Sequence, residues 1–358
     1  MTSFRPSAAI LFCASFLAAC ADTNAPLPDP VEVLLVVNTR GNSLSIVPVD
    51  APETAVEVPL GGDGSEPVSL AAHGAVAIVP LGPGDAAAVV DLRSGQVMRL
   101  IPLPGSGATG AAMVDDSIAY VANPNRNTVS RINYLTGETA DVSVGPHPQG
   151  VVFTRGRVFV LNGNLDVARQ PQGESWLTVI DPAINALAEG IDSIALSGPG
   201  NASSAAVGGD GSLYIVLAGG TLEEQGRLSI VDPVERIELA SFTGLGREAG
   251  QVATDGEVRV FVSSIAEGLL AFDTDSNRVV RGAGEGVPVP NNTGVAVDSR
   301  RLVYAIEGGG CGGAGRGFAH VLTGDLEEEL GRLPLGRCPA AALTVRIPPE
   351  ELRIGPLR

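Results

Sequence analysis

A short motif, an apolar run closing on a polar residue, recurs about seven times along the chain. It runs as Ser45–Asp50, Ala87–Asp91, Val129–Asn133, Leu177–Asp181, Leu228–Asp232 and Leu269–Asp273, with a weaker copy at Phe318–Thr323. The closing polar residues lie 41 to 51 positions apart, the period expected of β-propeller blades. A second apolar run precedes each copy: Val33–Val37, Ala75–Val79, Ile118–Ala122, Val158–Leu161, Leu213–Leu217, Val258–Val262 and Leu302–Ile306. Before that comes a strand of small residues, as in Gln149–Thr154 or Gly294–Val297. Compact turns such as Arg155-Gly156, Asp210-Gly211 and Asp255-Gly256 join the two, and these are strong hairpin signals. An alternating outer strand, as in Glu138–Val144, completes a four-stranded unit.

The ends of the repeat fix how it closes. The first unit begins at its second strand, Val33–Val37, and lacks an inner one, while Pro339–Arg346 reads as an inner strand with no blade after it. The spare strand complements the missing one. Pairing them closes the ring and removes exposed sheet edges. The expectation is therefore an all-β chain, a seven-bladed propeller of four-stranded antiparallel blades over residues 31–347, with a tail over 348–358. No stretch sustains a 3.6-residue apolar period, which argues against an α/β fold with crossover helices.

Composition agrees with many tight turns around an aliphatic interior. Aromatics make up only 4% of the chain against 44% hydrophobic residues, so Val, Leu, Ile and Ala must fill the core. The 46 glycines and 26 prolines are spread between the apolar runs, as turns require. All 23 basic residues are arginine, for which we have no physical account. The formal net charge of −17 repels phosphate backbones, so nucleic acid is not expected as a partner.

Residues 1–19 have the three parts of an export signal: Arg5 in a positive n-region, a short apolar core from Ala8 to Leu17, and small residues after it. Leu17-Ala-Ala-Cys20 resembles the lipobox of bacterial lipoproteins, which implies lipidation of Cys20 as the mature N-terminus. The alternative is an ordinary signal peptide with Cys20 a bystander. Several acyl chains on one cysteine would anchor stably, where a single chain is marginal. Residues 20–30, polar and proline-rich, read as an extended tether of about 30 Å at most. Ala21 rather than Asp after the cysteine implies, by the same resemblance, the outer membrane of a Gram-negative envelope.

Tyr120-Val-Ala-Asn123, followed by Asn127–Asn133, Thr136-Gly-Glu and Val144-Gly-Pro-His-Pro-Gln-Gly150, resembles YVTN-type β-propeller repeats. Phe159-Val-Leu-Asn162 is a looser copy. The resemblance implies a seven-bladed propeller, commonly secreted or surface-associated. It carries no fixed catalytic set.

Of four cysteines, Cys13 leaves with the signal and Cys20 takes lipid. Cys311 and Cys338 remain, an even pair in an exported chain. The blade map puts Cys311 in the loop between the second and third strands of the last blade, and Cys338 in the loop leading to the closing strand. Those loops emerge on one face, so a disulfide there would staple the ring closure. A metal or redox pair lacks a nearby histidine or a Cys-x-x-Cys spacing.

Candidate chemistry is sparse. Asp273-Thr-Asp275-Ser-Asn277 superficially resembles a calcium loop but has Arg278 where glycine is needed, and it falls on a turn that requires Asp and Asn anyway. His73, His147 and His320 fall in different blades, which leaves little material for a metal cluster or a Ser-His-Asp set; neither metal nor cofactor is expected. A binding site would gather where loops converge at the ring mouth. The blade map assigns Asn123, Arg126, His147, Asn162, Arg247, Glu248, Asn292, Glu307 and Arg316 to that region. Asparagine at a strand exit is equally explained by turn capping and left-handed backbone. The loops Gly163–Ser175 and Gly308–Gly317 are longer than their counterparts and mark the face to inspect. Two functions fit: an envelope module binding a protein or small ligand, or a lactonase-, lyase- or hydrolase-type enzyme with His147 as base beside Arg247 or Glu248.

Overall fold

The computed structural model describes residues 29–220 and 226–349; the lipobox and Cys20 lie outside them. Residues 30–348 form one compact unit. It contains seven antiparallel sheets arranged as a ring of blades. Six blades use strands consecutive in sequence. Blade 1 instead combines Pro339–Ile347 as its inner strand with Val31–Asn38, Ser43–Pro48 and Val56–Pro59. The closing strand pairs with Val31–Asn38 along its whole length, from Val31 opposite Ile347 to Asn38 opposite Pro339. Blade 3 comprises Ala111–Met113, Ile118–Asn123, Thr128–Asn133 and Thr139–Ser143. Blade 7 comprises Asn292–Val297, Val303–Glu307, Arg316–Leu322 and Glu329–Arg337. In blade 4 two short strands, Ala186–Leu187 and Ser193–Ala195, share the outer position.

In blades 2 to 6 the repeated polar residue that ends the third strand has a local task. Its side chain caps the following turn. Asp91 Oδ1 accepts the N–H of Arg93 at 2.8 Å, Asn133 Oδ1 those of Leu135 and Thr136, Asp232 Oδ1 that of Val234, and Asp273 Oδ1 that of Ser276. This is the Asx-turn geometry, in which a short side chain mimics a backbone acceptor. Asp273 also accepts the Ser276 hydroxyl and pairs with Arg259, so the calcium-like sequence is a turn.

Alternation along each strand sends one set of side chains toward the preceding blade and the other toward the next. Seven mainly aliphatic clusters result among the described residues, one per interface. The cluster between blades 2 and 3 joins Ile78 and Val89 to Ala119, Val121 and Ile132. That between blades 7 and 1 joins Tyr304, Ile306 and Ala319 to Leu34, Val36 and Val47. Burying such side chains stabilises by roughly 1.5–3 kcal/mol each.

The closing strand is tied in by more than its pairing. Gln251, on the inner strand of blade 6, receives the Ala342 N–H on Oε1 at 3.0 Å and donates Nε2 to the Ala342 carbonyl, so its amide pairs as a peptide group would. It crosses Gly294 of blade 7, where an added Cβ would come within 2.9 Å of Oε1. Thr293 and Thr344 hydroxyls bond the carbonyls of Pro339 and Val297 across the same seam. Cys311 and Cys338 form the expected disulfide, with Cα atoms 4.9 Å apart.

Candidate functional site

The loops between blades and the loops between second and third strands share one face, the mouth. In five blades the residue leading into the inner strand has left-handed backbone: His147 (φ 51°), Asn201 (75°), Glu248 (51°), Asn291 (46°) and Cys338 (53°). Each then offers its carbonyl to the backbone N–H that leaves its own blade's second strand. Gly163 donates to His147 at 3.1 Å, Ala218 to Asn201, Ile265 to Glu248, Gly308 to Asn291 and Thr39 to Cys338. A register shift in the sheet accompanies each of the five. Left-handed backbone is tolerated by asparagine and disfavoured for larger side chains. His147 and Glu248 therefore stand where asparagine would cost less, while Cys338 uses the geometry to meet Cys311.

His147 is half-buried, with its N–H held by Asn127 Oδ1. Burial, and then the charge of Arg169, push its imidazole below the usual histidine range, so it is neutral near pH 7. Glu248 holds the matching place in blade 6, with Asn201 of blade 5 between them. Arg247 is exposed; its N–H donates to Glu267 Oε1 and its carbonyl accepts the Ser264 hydroxyl. The base and its two proposed partners thus sit two blades apart around the rim.

Asn123, Asn162 and Glu307 end the second strands of blades 3, 4 and 7. They do not occupy left-handed turns. The two asparagines are fully buried and point between blades. Asn123 Nδ2 donates to the hydroxyls of Thr128 (2.9 Å) and Ser130 (2.8 Å), and Ser130 donates on to Asp141 at 2.6 Å. Arg126 pairs with Asp141 and ends this ladder. Asn162 makes the same move to Thr178, and Asn38 in blade 1 to Ser43 and Ser45. Turn logic could not predict this use of asparagine, because it depends on a hydroxyl supplied by the neighbouring strand.

Blade 7 carries a charged form of the ladder. Glu307 Oε2 lies 2.9 Å from His320 Nε2, and His320 Nδ1 lies 3.1 Å from Glu329 Oε1. Arg332 Nε donates to the same Glu329 oxygen, and that bond, with a smaller contribution from His320, holds the carboxyl below its ordinary range. His320 is 1% exposed. Nothing local in the sequence signals a histidine bridging a carboxylate of the second strand and one of the outer strand. Asn292, paired with Glu307 across the sheet, is buried with neither amide atom hydrogen-bonded. Arg316 is the first residue of its strand after the mouth loop, and its side chain turns toward blade 1, bonding Leu335 O and Glu57 at the seam between blades 7 and 1.

No protein-family model and no curated protein matches the chain. Among solved structures, 1301 chains match, so the architecture is too common to specify chemistry. One is Kuenenia stuttgartiensis hydrazine synthase, similar at a TM-score of 0.61 over 77% of this chain and 88% of that one, with 14% identity. The chain has the propeller fold. At that identity the likeness extends to the fold alone. Among the described residues, no group of three or more His, Cys, Asp or Glu is placed to hold a metal ion, and no helix is long and apolar enough to cross a membrane.

Proposed function

We propose that the chain is a YVTN-type, lipid-anchored propeller of the bacterial envelope that binds a partner protein or small ligand at its mouth. The observation that carries this reading is the polarity of the ring. The chain enters at Val31 and leaves at Ile347, cross-strand partners on the face opposite the mouth. A tether from Cys20 would therefore join the far face and leave the mouth free. The mouth also carries the long loop Gly163–Ser175, whose tip residue Val167 is fully exposed; loops held on a rigid scaffold are where propellers carry recognition.

Photocrosslinkers in place of Val167 and of Leu135, which sits in a turn on the opposite face, test the reading in intact cells. Adducts from position 167 and none from 135 are expected. Adducts from 135 alone would overturn the mouth reading. A Cys20→Ser variant that still fractionates with membranes would overturn the anchor.

A further inference from the structure

A cavity of about 520 Å³ lies on the side wall of the ring at the closing seam, between the outer halves of blades 7 and 1. Its walls include Val47 and Val56 from blade 1 and Leu333 and Pro334 from blade 7. Four polar side chains line it: Ser45, Glu53, Glu57 and Arg316. A mostly apolar cavity of this size with a few convergent polar groups has the general form of a small-molecule site.

The hydrogen-bond accounting selects the ligand. Glu57 is occupied at both oxygens, Oε1 by the Ser43 hydroxyl at 2.7 Å and Oε2 by Arg316 Nη2 at 2.7 Å. Arg316 uses Nε on Leu335 O at 2.8 Å, and among the described residues Nη1 has no acceptor. Ser45 is 5% exposed and accepts from Asn38 Nδ2, and its own hydrogen has no acceptor among the described residues. In blade 3 the matching hydroxyl, Ser130, is spent on Asp141. Three groups in the seam cavity are therefore uncommitted among the described residues: two donors, the exposed cationic Arg316 Nη1 and the buried Ser45 hydroxyl, and the exposed carboxylate of Glu53. Uncommitted buried donors favour an acceptor, most of all an ionised one. Glu53 and Glu57 in the same lining weigh against a second negative charge.

We propose that this seam cavity binds small organic monocarboxylates with an apolar body, the carboxylate meeting Arg316 Nη1 and the Ser45 hydroxyl while the body lies against Val47, Val56, Leu333 and Pro334. The site is separate from the mouth and does not rest on the function proposed above.

Titration calorimetry of the purified protein with 4-phenylbutyrate and its uncharged isostere 4-phenylbutanamide tests this. Saturable binding of the acid is expected, at least tenfold tighter than the amide. It should weaken at least tenfold in Arg316→Gln and stay unchanged in the mouth variant His147→Ala. Absence of saturable binding, equal affinity for acid and amide, or loss in His147→Ala with retention in Arg316→Gln would each overturn the proposal. Should Arg316→Gln fail to fold, methyl chemical shifts of the wild-type protein decide. Shifts on adding the acid confined to Val47, Val56 and Leu333 support the site, and shifts confined to mouth residues refute it.

Discussion

Blades 1 and 3 carry the same polar ladder at the same depth, and they finish it differently. Each ends its second strand in a buried asparagine, Asn38 or Asn123, that donates to two residues of the third strand. In blade 3 the inner hydroxyl passes its hydrogen to Asp141, and Arg126 from the same blade's loop closes the series. In blade 1 Ser43 rather than Ser45 reaches the outer carboxylate, and the arginine comes from blade 7. Both leave the buried asparagine Oδ1 without a partner, but blade 3 completes its donor series with its own residues, whereas blade 1 borrows its last partner across the seam and keeps one hydroxyl in reserve. The repeat supplies a local template, and the closing interface is where the chain departs from it.

The largest expected effect comes from cutting the seam itself. Cys311→Ser with Cys338→Ser should cost about 3–4 kcal/mol for a 27-residue separation, read as a lower urea midpoint. An equal midpoint with and without reductant in the wild-type protein would show that the non-covalent ties suffice. His320→Ala comes next, since it opens a cavity and strips a buried partner from Glu307 and Glu329; a loss of about 2–4 kcal/mol is expected in the same assay. Blades 1 and 3 separate in a third pair. Ser130→Ala removes both a donor and an acceptor and should cost about 1–2 kcal/mol, whereas Ser45→Ala removes only an acceptor and should cost about half that or less. Equal losses would erase the distinction drawn above.

The smallest effect is on acid stability. Backbone N–H donors, that of Gly107 foremost, hold Asp85 below its ordinary range, the Ser276 hydroxyl does so for Asp273, and Arg332 for Glu329. A carboxyl depressed in the folded state contributes stability that is complete above its unfolded value and is lost as pH falls through the folded one. Thermal midpoints should accordingly hold through neutral pH and decline below ~4. These groups are all at least partly solvent-exposed, so the decline should be shallow, and a midpoint that rises on acidification would contradict the assignment.

Much of the scaffold was readable along the chain because its signals are local. Asp91, Asn133, Asp232 and Asp273 mark turns through hydrogen bonds made within three residues of themselves, and the alternation of Val and Leu marks which strands are buried. The closing strand was readable by subtraction, and so was the pairing of Cys311 with Cys338. The candidate residues behaved otherwise. Asn123 and Asn162 have the composition of turns, yet their amides serve hydroxyls on the neighbouring strand, and Arg316, placed at the mouth by its loop, turns outward to Glu57.

Blade number and the meander order within each blade were determined by the sequence alone, since they depend on periodicity and on contacts near in the chain. The ring's closure, a pairing of the two ends of the repeat, was determined by it too, because the periodic pattern leaves one strand missing and one to spare. The left-handed rim through His147 and Glu248, the bridging of Glu307 and Glu329 by His320, and the open donors of Ser45 and Arg316 were decided only by the tertiary structure. In each of these, what a side chain does is set by partners from other strands or blades. Register and inter-blade packing choose those partners, and no local pattern in the sequence records them.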